Sequence, residues 1–213
     1  MKKIVTIAVA GALALSLAAC GGSSASSAAP AASAPAASAA ASAAASDLAE
    51  ISAGMFSTPA ILTSIGQSAD VDIANTLCSK AGIDVTMEKN ITGDQLPDDC
   101  KTLILAVGGS SKGLGAAGID ADQELARTDA LIAAAKEKGI TILALHTGGS
   151  ARRGTLSDSF INPAFESCDA AIVVSEGDAD GLMSGILAKN GTPATYVDQT
   201  AGALAALQNA FGL

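Results

Sequence analysis

The chain reads as a doubly wound α/β domain, and three features of the sequence predict it. Short, continuous apolar runs recur along residues 47–213, stretches with helical periodicity separate them, and polar, glycine-bearing segments follow several of the runs. An apolar run without alternation is a strand buried on both faces, and such strands joined by helices make a parallel sheet. The expectation is a single, mostly parallel sheet of five to six strands, flavodoxin-like or Rossmann-like in its winding.

Strands are expected at 60–65, 83–87, 102–107, 140–145, 170–174 and 194–197, and helices at 68–81, 121–138, 157–167, 179–189 and 199–211. Capping residues support several of these boundaries. Asp120 with Gln123 has the form of a capping box, Ser68, Asp178 and Asp198 are suited to N-caps, and Asn190 followed by Gly191 is a helix stop. The interval between Met87 and Thr102 holds Pro97 and four acids and need not form a helix. A parallel sheet gathers its strand-ending loops on one edge, here 66–68, the glycine-rich stretch 108–118 (GGSSKGLGAAG), 146–154 and 175–178.

The chain begins differently. Lys2 and Lys3 followed by the apolar run 4–17 have the form of a secretory signal, too short to span a membrane. The run ends in Leu17-Ala18-Ala19-Cys20, which resembles the lipobox of bacterial lipoproteins. Residues 1–19 are thus expected to be a signal peptide and Cys20 the lipidated mature N-terminus, anchored by palmitate-type acyl chains to the outer side of a membrane. Residues 20–46, almost all Ala, Ser, Pro and Gly, cannot form a core and read as a tether with a root-mean-square span of roughly 25–30 Å. Residues 47–213 then form the folded domain.

All 21 acidic residues lie in that domain; with Lys2 and Lys3 removed, 10 basic residues remain, for a net charge of −11. Nucleic acid is an unsuitable partner for such a surface. One Tyr, four Phe and no Trp argue against aromatic platforms for sugars or bases. Within this acidic domain the positions of the cations are informative. Lys80, Lys136, Lys138 and Lys189 fall at expected helix C-termini, where the macrodipole accounts for them, Arg127 falls mid-helix, and Lys89 and Lys101 are assigned to the edge opposite the loops. Lys112, Arg152 and Arg153 remain, all in strand-ending loops and near the only histidine, His146. Three cations among glycines suggest an anion site; pairing of Arg152 and Arg153 with Asp158, Glu176 or Asp178 is the purely structural alternative.

Other chemistries find less support. Gly113-Leu114-Gly115-Ala116-Ala117-Gly118 matches the dinucleotide pattern, but its first glycine stands five positions after Gly108, and His146 occupies the place of an acidic ribose ligand. Lys112 is followed by Gly113, so there is no phosphate-binding P-loop, and no cofactor is expected. Ser68 begins like a nucleophile elbow, yet Asp70 stands where a small residue is needed. A lone histidine without suitably spaced cysteines makes a zinc site improbable. No pair of acids stands out for glycoside chemistry. Cys78, Cys100 and Cys168 map to the edge opposite the loops. An oxidising compartment permits a Cys78–Cys100 disulfide, other pairings are open, and an anaerobic host would form none.

The strings TSIGQSAD (63–70), SSKGLGAAG (110–118) and HTGGSARRG (146–154) resemble a bacterial family of exported proteins known only as a domain of unknown function. The resemblance covers nearly all of residues 58–213. It implies that the three loops belong together and supplies no activity and no catalytic residue.

The functional expectation is a membrane-tethered binding domain for a small anionic solute. Gln67, Ser68, Ser110, Ser111, Lys112, Gly113, Gly115, His146, Arg152 and Arg153 are its candidate ligand-binding residues. The alternative is a hydrolase or transferase acting on such a ligand, with His146 as acid or base. A homodimer or an envelope protein could complete the site.

Overall fold

The computed structural model describes residues 47–213; the signal, lipidation and tether readings on residues 1–46 lie outside the described residues. Six strands form one parallel sheet: β1 (Ala60–Ile65), β2 (Val85–Met87), β3 (Thr102–Val107), β4 (Thr141–His146), β5 (Ala170–Val174) and β6 (Ala194–Val197), in the spatial order β2-β1-β3-β4-β5-β6. Six α-helices cover it: α1 (Asp70–Ala81), α2 (Ser111–Ala117), α3 (Ala121–Glu137), α4 (Thr155–Ser167), α5 (Leu182–Asn190) and α6 (Ala203–Phe211). The fold is the doubly wound α/β type.

Each central strand supplies both layers of the core. Leu103, Leu105 and Val107 of β3 pack into one layer with Leu131 of α3, Phe160 and Phe165 of α4 and Leu187 of α5. Ile104 and Ala106 face the other, where α1 and α6 present Ala74, Leu77, Ala206 and Ala210. This two-sided burial is the reason the strands are continuously apolar. The helices α1 and α6 carry mainly small residues on the buried face, which lets two helices lie close on that side.

The winding reverses between β1 and β3. From β1 the chain enters α1 on one face; from the adjacent β3 it enters α2 and α3, and α3 lies on the other face. The divergence opens a crevice at the strand C-termini, the place where open α/β sheets bind ligands. Between β2 and β3 there is only a 3-10 turn, Gly93–Gln95, closed by a capping box from Thr92 to Gln95.

Several local expectations change. The glycine-rich stretch is not a loop throughout, because Ser111–Ala117 is α2. The Ser110 hydroxyl caps it, accepting the Gly113 N–H at 3.0 Å, and Gly118 ends it in the left-handed region at φ 72°. Ser68 is also not the formal N-cap of α1; that position is Ala69, although Ser68 Oγ accepts the Asp70 N–H at 3.3 Å. The Asp120–Gln123 capping box is present; the helix expected from 179 starts at Leu182 with Gly181 as its formal N-cap, and Asp178 still takes the N–H groups of Met183 and Ser184 in its first turn. Asp198 does not cap α6, which is preceded instead by a 3-10 turn at Thr200–Gly202.

The first described segment is tied down at the strand N-terminal edge. The Ala49 carbonyl accepts the N–H of Ala194 at 2.8 Å, and Asn209 at the end of α6 donates to the Ile51 carbonyl. The chain therefore enters the domain at the edge opposite the crevice.

Candidate functional site

The crevice is a cleft of about 500 Å³ lined from three segments. The β1–α1 connection contributes Gln67, Ser68 and Ala69, with Val71 and Asp72 from the first turn of α1; the segment after β2 contributes Lys89 and Asn90; and the α2 side contributes Ser110, Lys112, Gly113, Ala116 and Ala117. Five of the candidate residues meet here: Gln67, Ser68, Ser110, Lys112 and Gly113. Ser111 and Gly115 lie exposed on α2, outside the lining.

Lys112 is exposed and has no acidic partner among the described residues. Lys89, assigned above to the opposite edge, lines the same cleft. It lies two residues past the end of β2, and a strand parallel to β1 delivers its C-terminal residues to the same edge as Gln67. Its ammonium pairs with Asp72 at 2.7 Å, both groups being half-exposed.

The walls are held by close backbone approaches. The Ser110 N–H donates to the Gly66 carbonyl at 2.8 Å, and Gln67 forms an isolated antiparallel bridge with Gly109. Gly66, at φ 93°, has no room for a side chain, because a Cβ would stand 2.6 Å from the Gly108 carbonyl oxygen. Gln67 is itself left-handed, at φ 58°, and is the one non-glycine residue with positive φ among those described. Such a conformation persists only when its surroundings enforce it.

Glu124 of α3 supplies that enforcement, and reading the sequence alone missed it. Its fully buried carboxylate accepts the Gly66 N–H at 2.9 Å, Gln67 Nε2 at 3.1 Å, and the Arg127 guanidinium at 2.7 and 2.8 Å. Arg127 also donates to the carbonyls of Ser64 and Ile91. One ion pair thus joins the end of β1, the Gln67 turn and the segment after Lys89. The visible signal was the i, i+3 spacing of Glu124 and Arg127 on one helix.

His146, Arg152 and Arg153 do not line the cleft. Arg152 donates from Nε to Asp70 Oδ2 at 2.9 Å, and its side chain lies across Gly108 and Gly148. Arg153 is bound by Asp158 at 2.8 Å, by both oxygens of Asp180 at 2.8 and 2.9 Å, and by the Gly177 carbonyl. This pairing holds Asp180 below the usual carboxylate range, chiefly through its hydrogen bond with Arg153. Arg153 braces the 146–154 loop against the 175–180 segment, and Arg152 ties the same loop to the first turn of α1. Asp178 completes the brace by accepting the Tyr196 hydroxyl at 2.8 Å.

His146 is fully buried at the end of β4. Its Nε2 lies 3.0 Å from the Arg152 carbonyl, which only accepts, so this nitrogen carries the proton. Its Nδ1 has no partner and faces the Cα of Gly177. Burial lowers the His146 pKa below 6.5, with the Arg153 charge acting the same way and the Arg152 carbonyl, Asp70 and Asp178 opposing it. The unfolded chain therefore takes up a proton where the folded chain does not. Stability should be complete above about pH 6.5 and should fall as the pH drops from there toward the folded-state pKa. Urea unfolding at pH 7.5 and 5.5 should show that loss in the parent protein and a smaller one in His146→Gln. An equal pH dependence in the two would contradict this assignment.

Among the described residues, no group of three or more His, Cys, Asp or Glu side chains is placed to hold a metal ion. Cys78, Cys100 and Cys168 are buried free thiols, and the Cys78–Cys100 disulfide is not formed. Burial pushes Cys78 up to about 11 and Cys168 up to about 12, so both stay protonated and unreactive at neutral pH. No helix among the described residues is long and apolar enough to cross a membrane.

No curated protein and no solved structure matches the chain. A family model does match, over residues 57–211, which include all three strand-ending segments discussed above. The chain belongs to the family described as a domain of unknown function, DUF6305.

Proposed function

We propose that the domain captures a small anionic solute, carrying a phosphate, sulfate or carboxylate group, in the cleft between α1 and α2. One observation carries the reading: Lys112, an exposed cation with no acidic partner among the described residues, stands in the switch-point cleft of a strongly acidic domain. Lys89, Asn90 and the Ser110 hydroxyl add donors around it. Arg152 and Arg153 act one step away, by keeping the neighbouring loops in place, and the cleft contains no histidine to serve as acid or base. The proposed setting is extracytoplasmic, with the chain held to a bacterial membrane through lipid on Cys20. In support, the described chain starts at the strand N-terminal edge, the edge opposite the cleft.

Calorimetric titration with glycerol 3-phosphate tests the reading. Lys112→Ala should weaken binding roughly fivefold to tenfold, the size of one partly solvated charge-assisted contact. Unchanged affinity in Lys112→Ala, or no binding of glycerol 3-phosphate, propyl phosphate, lactate or propanoate to the parent protein, would remove the proposal.

A further inference from the structure

The cleft contains an acceptor whose identity is fixed by its surroundings. Gln67 Nε2 donates to Glu124 Oε1 at 3.1 Å and to the Lys89 carbonyl at 3.4 Å. A carboxylate and a carbonyl can only accept, so the amide nitrogen faces both and its two hydrogens are used. Oε1 is left without a partner among the described residues, on a partly buried residue of the cleft lining. The amide cannot turn over to offer a donor without placing oxygen against oxygen at Glu124. Its backbone is equally constrained, with Gly66 bonded to the same carboxylate and Gln67 held at φ 58°. The opposite wall offers donors: the Lys112 ammonium, and the Ser110 hydroxyl, whose oxygen already accepts the Gly113 N–H.

We infer that the cleft selects a hydroxylated organic anion, such as a short hydroxy acid or a polyol phosphate, in which Lys112 neutralises the acid group and Gln67 Oε1 accepts a hydroxyl hydrogen of the same molecule. The inference rests on the cleft being the binding site and adds the chemistry of what fills it. An anion without a donor satisfies Lys112 and leaves the Gln67 oxygen dehydrated and unpaired. Selection by a fixed polar group against a ligand lacking its counterpart is the general route to discrimination between near-isosteres. Val71, Ala69, Ala116 and Ala117 supply the apolar part of the lining and suit a short carbon chain, while the Asp72 carboxylate on the same wall is paired with Lys89 at 2.7 Å.

Two matched pairs of probes test the inference by calorimetry on the full chain: lactate against propanoate, and glycerol 3-phosphate against propyl phosphate. In each pair the charge is the same and the hydroxyl differs. The hydroxylated member should bind about fivefold to tenfold more tightly, the range expected for one hydrogen bond. Gln67→Met should bring the two members of each pair to near-equal affinity. Gln67→Asn should do the same, since asparagine tolerates the left-handed backbone yet withdraws the oxygen by one methylene. Binding that requires Lys112 but ignores the hydroxyl, or a hydroxyl preference that survives both substitutions, would overturn the selectivity alone. If none of the four probes binds, or if binding is undiminished in Lys112→Ala, the cleft reading falls and this inference with it.

Discussion

Glu124→Ala should destabilise the domain by about 3–5 kcal/mol, the cost of breaking a buried ion pair by removing one partner. The carboxylate is fully buried, and Arg127 is only 10% exposed, so the guanidinium left behind has little access to water. The Gly66 N–H loses its acceptor as well, and the left-handed Gln67 loses the group that orients its amide. At about 2–4 °C per kcal/mol for a domain of this size, the thermal midpoint should fall by roughly 6–20 °C. The double substitution Glu124→Leu with Arg127→Leu should recover part of that loss, because no charge is then left buried alone. A thermal melt of the three proteins checks both statements. A loss below 1 kcal/mol for Glu124→Ala would mean that water reaches the pair and that it does not organise the loops.

Gly113→Ala and Gly115→Ala should move stability in opposite directions, although both lie inside α2. At Gly113 a Cβ would stand 1.7 Å from the Gln67 carbonyl oxygen, a backbone atom that cannot swing aside. Alanine there must push α2 off the β1–α1 turn, at about 1–3 kcal/mol for overpacking, and should open the cleft in the process. At Gly115 a Cβ meets nothing within 4 Å, so alanine should add roughly 0.5–1 kcal/mol through helix propensity alone. Urea unfolding of both variants measures the contrast. If Gly113→Ala proved neutral, the close approach of α2 to Gln67 would not describe the protein in solution.

That same glycine shows where sequence reading reached its limit. The strands were legible because burial on both faces leaves a run such as Leu103–Val107 with no polar residue to misplace. The segment after Gly108 was misread because its glycines suggest a flexible loop. In the fold, Gly113 serves close packing against a distant turn, while Ser110 provides the cap that starts a helix. Lys89 was placed on the wrong edge although the strand end at Met87 was read correctly: two residues past the end of a strand parallel to β1, it belongs to the same edge as Gln67, and the long irregular stretch to Thr102 hid that.

The candidate site was legible in half. Gln67, Ser68, Ser110 and Lys112 come together because the sheet order places β1 beside β3, a relation that loop composition anticipates. Arg152 and Arg153 were grouped with them by charge and location alone. Of their partners, Asp158 was among the acids the sequence offered for structural pairing, whereas Asp70 and Asp180 depend on side-chain direction around tight glycine turns, which residue spacing does not encode. Glu124 lay hidden for a related reason: on its helix it looks like an ordinary first-turn acid, and only the tertiary structure shows it buried beneath Gly66 and Gln67.

The most direct test of the account is a map of backbone amide shifts during titration with glycerol 3-phosphate. The cleft reading predicts saturable shifts at Gln67, Asp72, Lys89, Asn90, Ser110 and Gly113, all lost or strongly weakened in Lys112→Ala. Shifts confined to residues 148–154, with the cleft amides unmoved, would contradict it and transfer the site to the arginine loop.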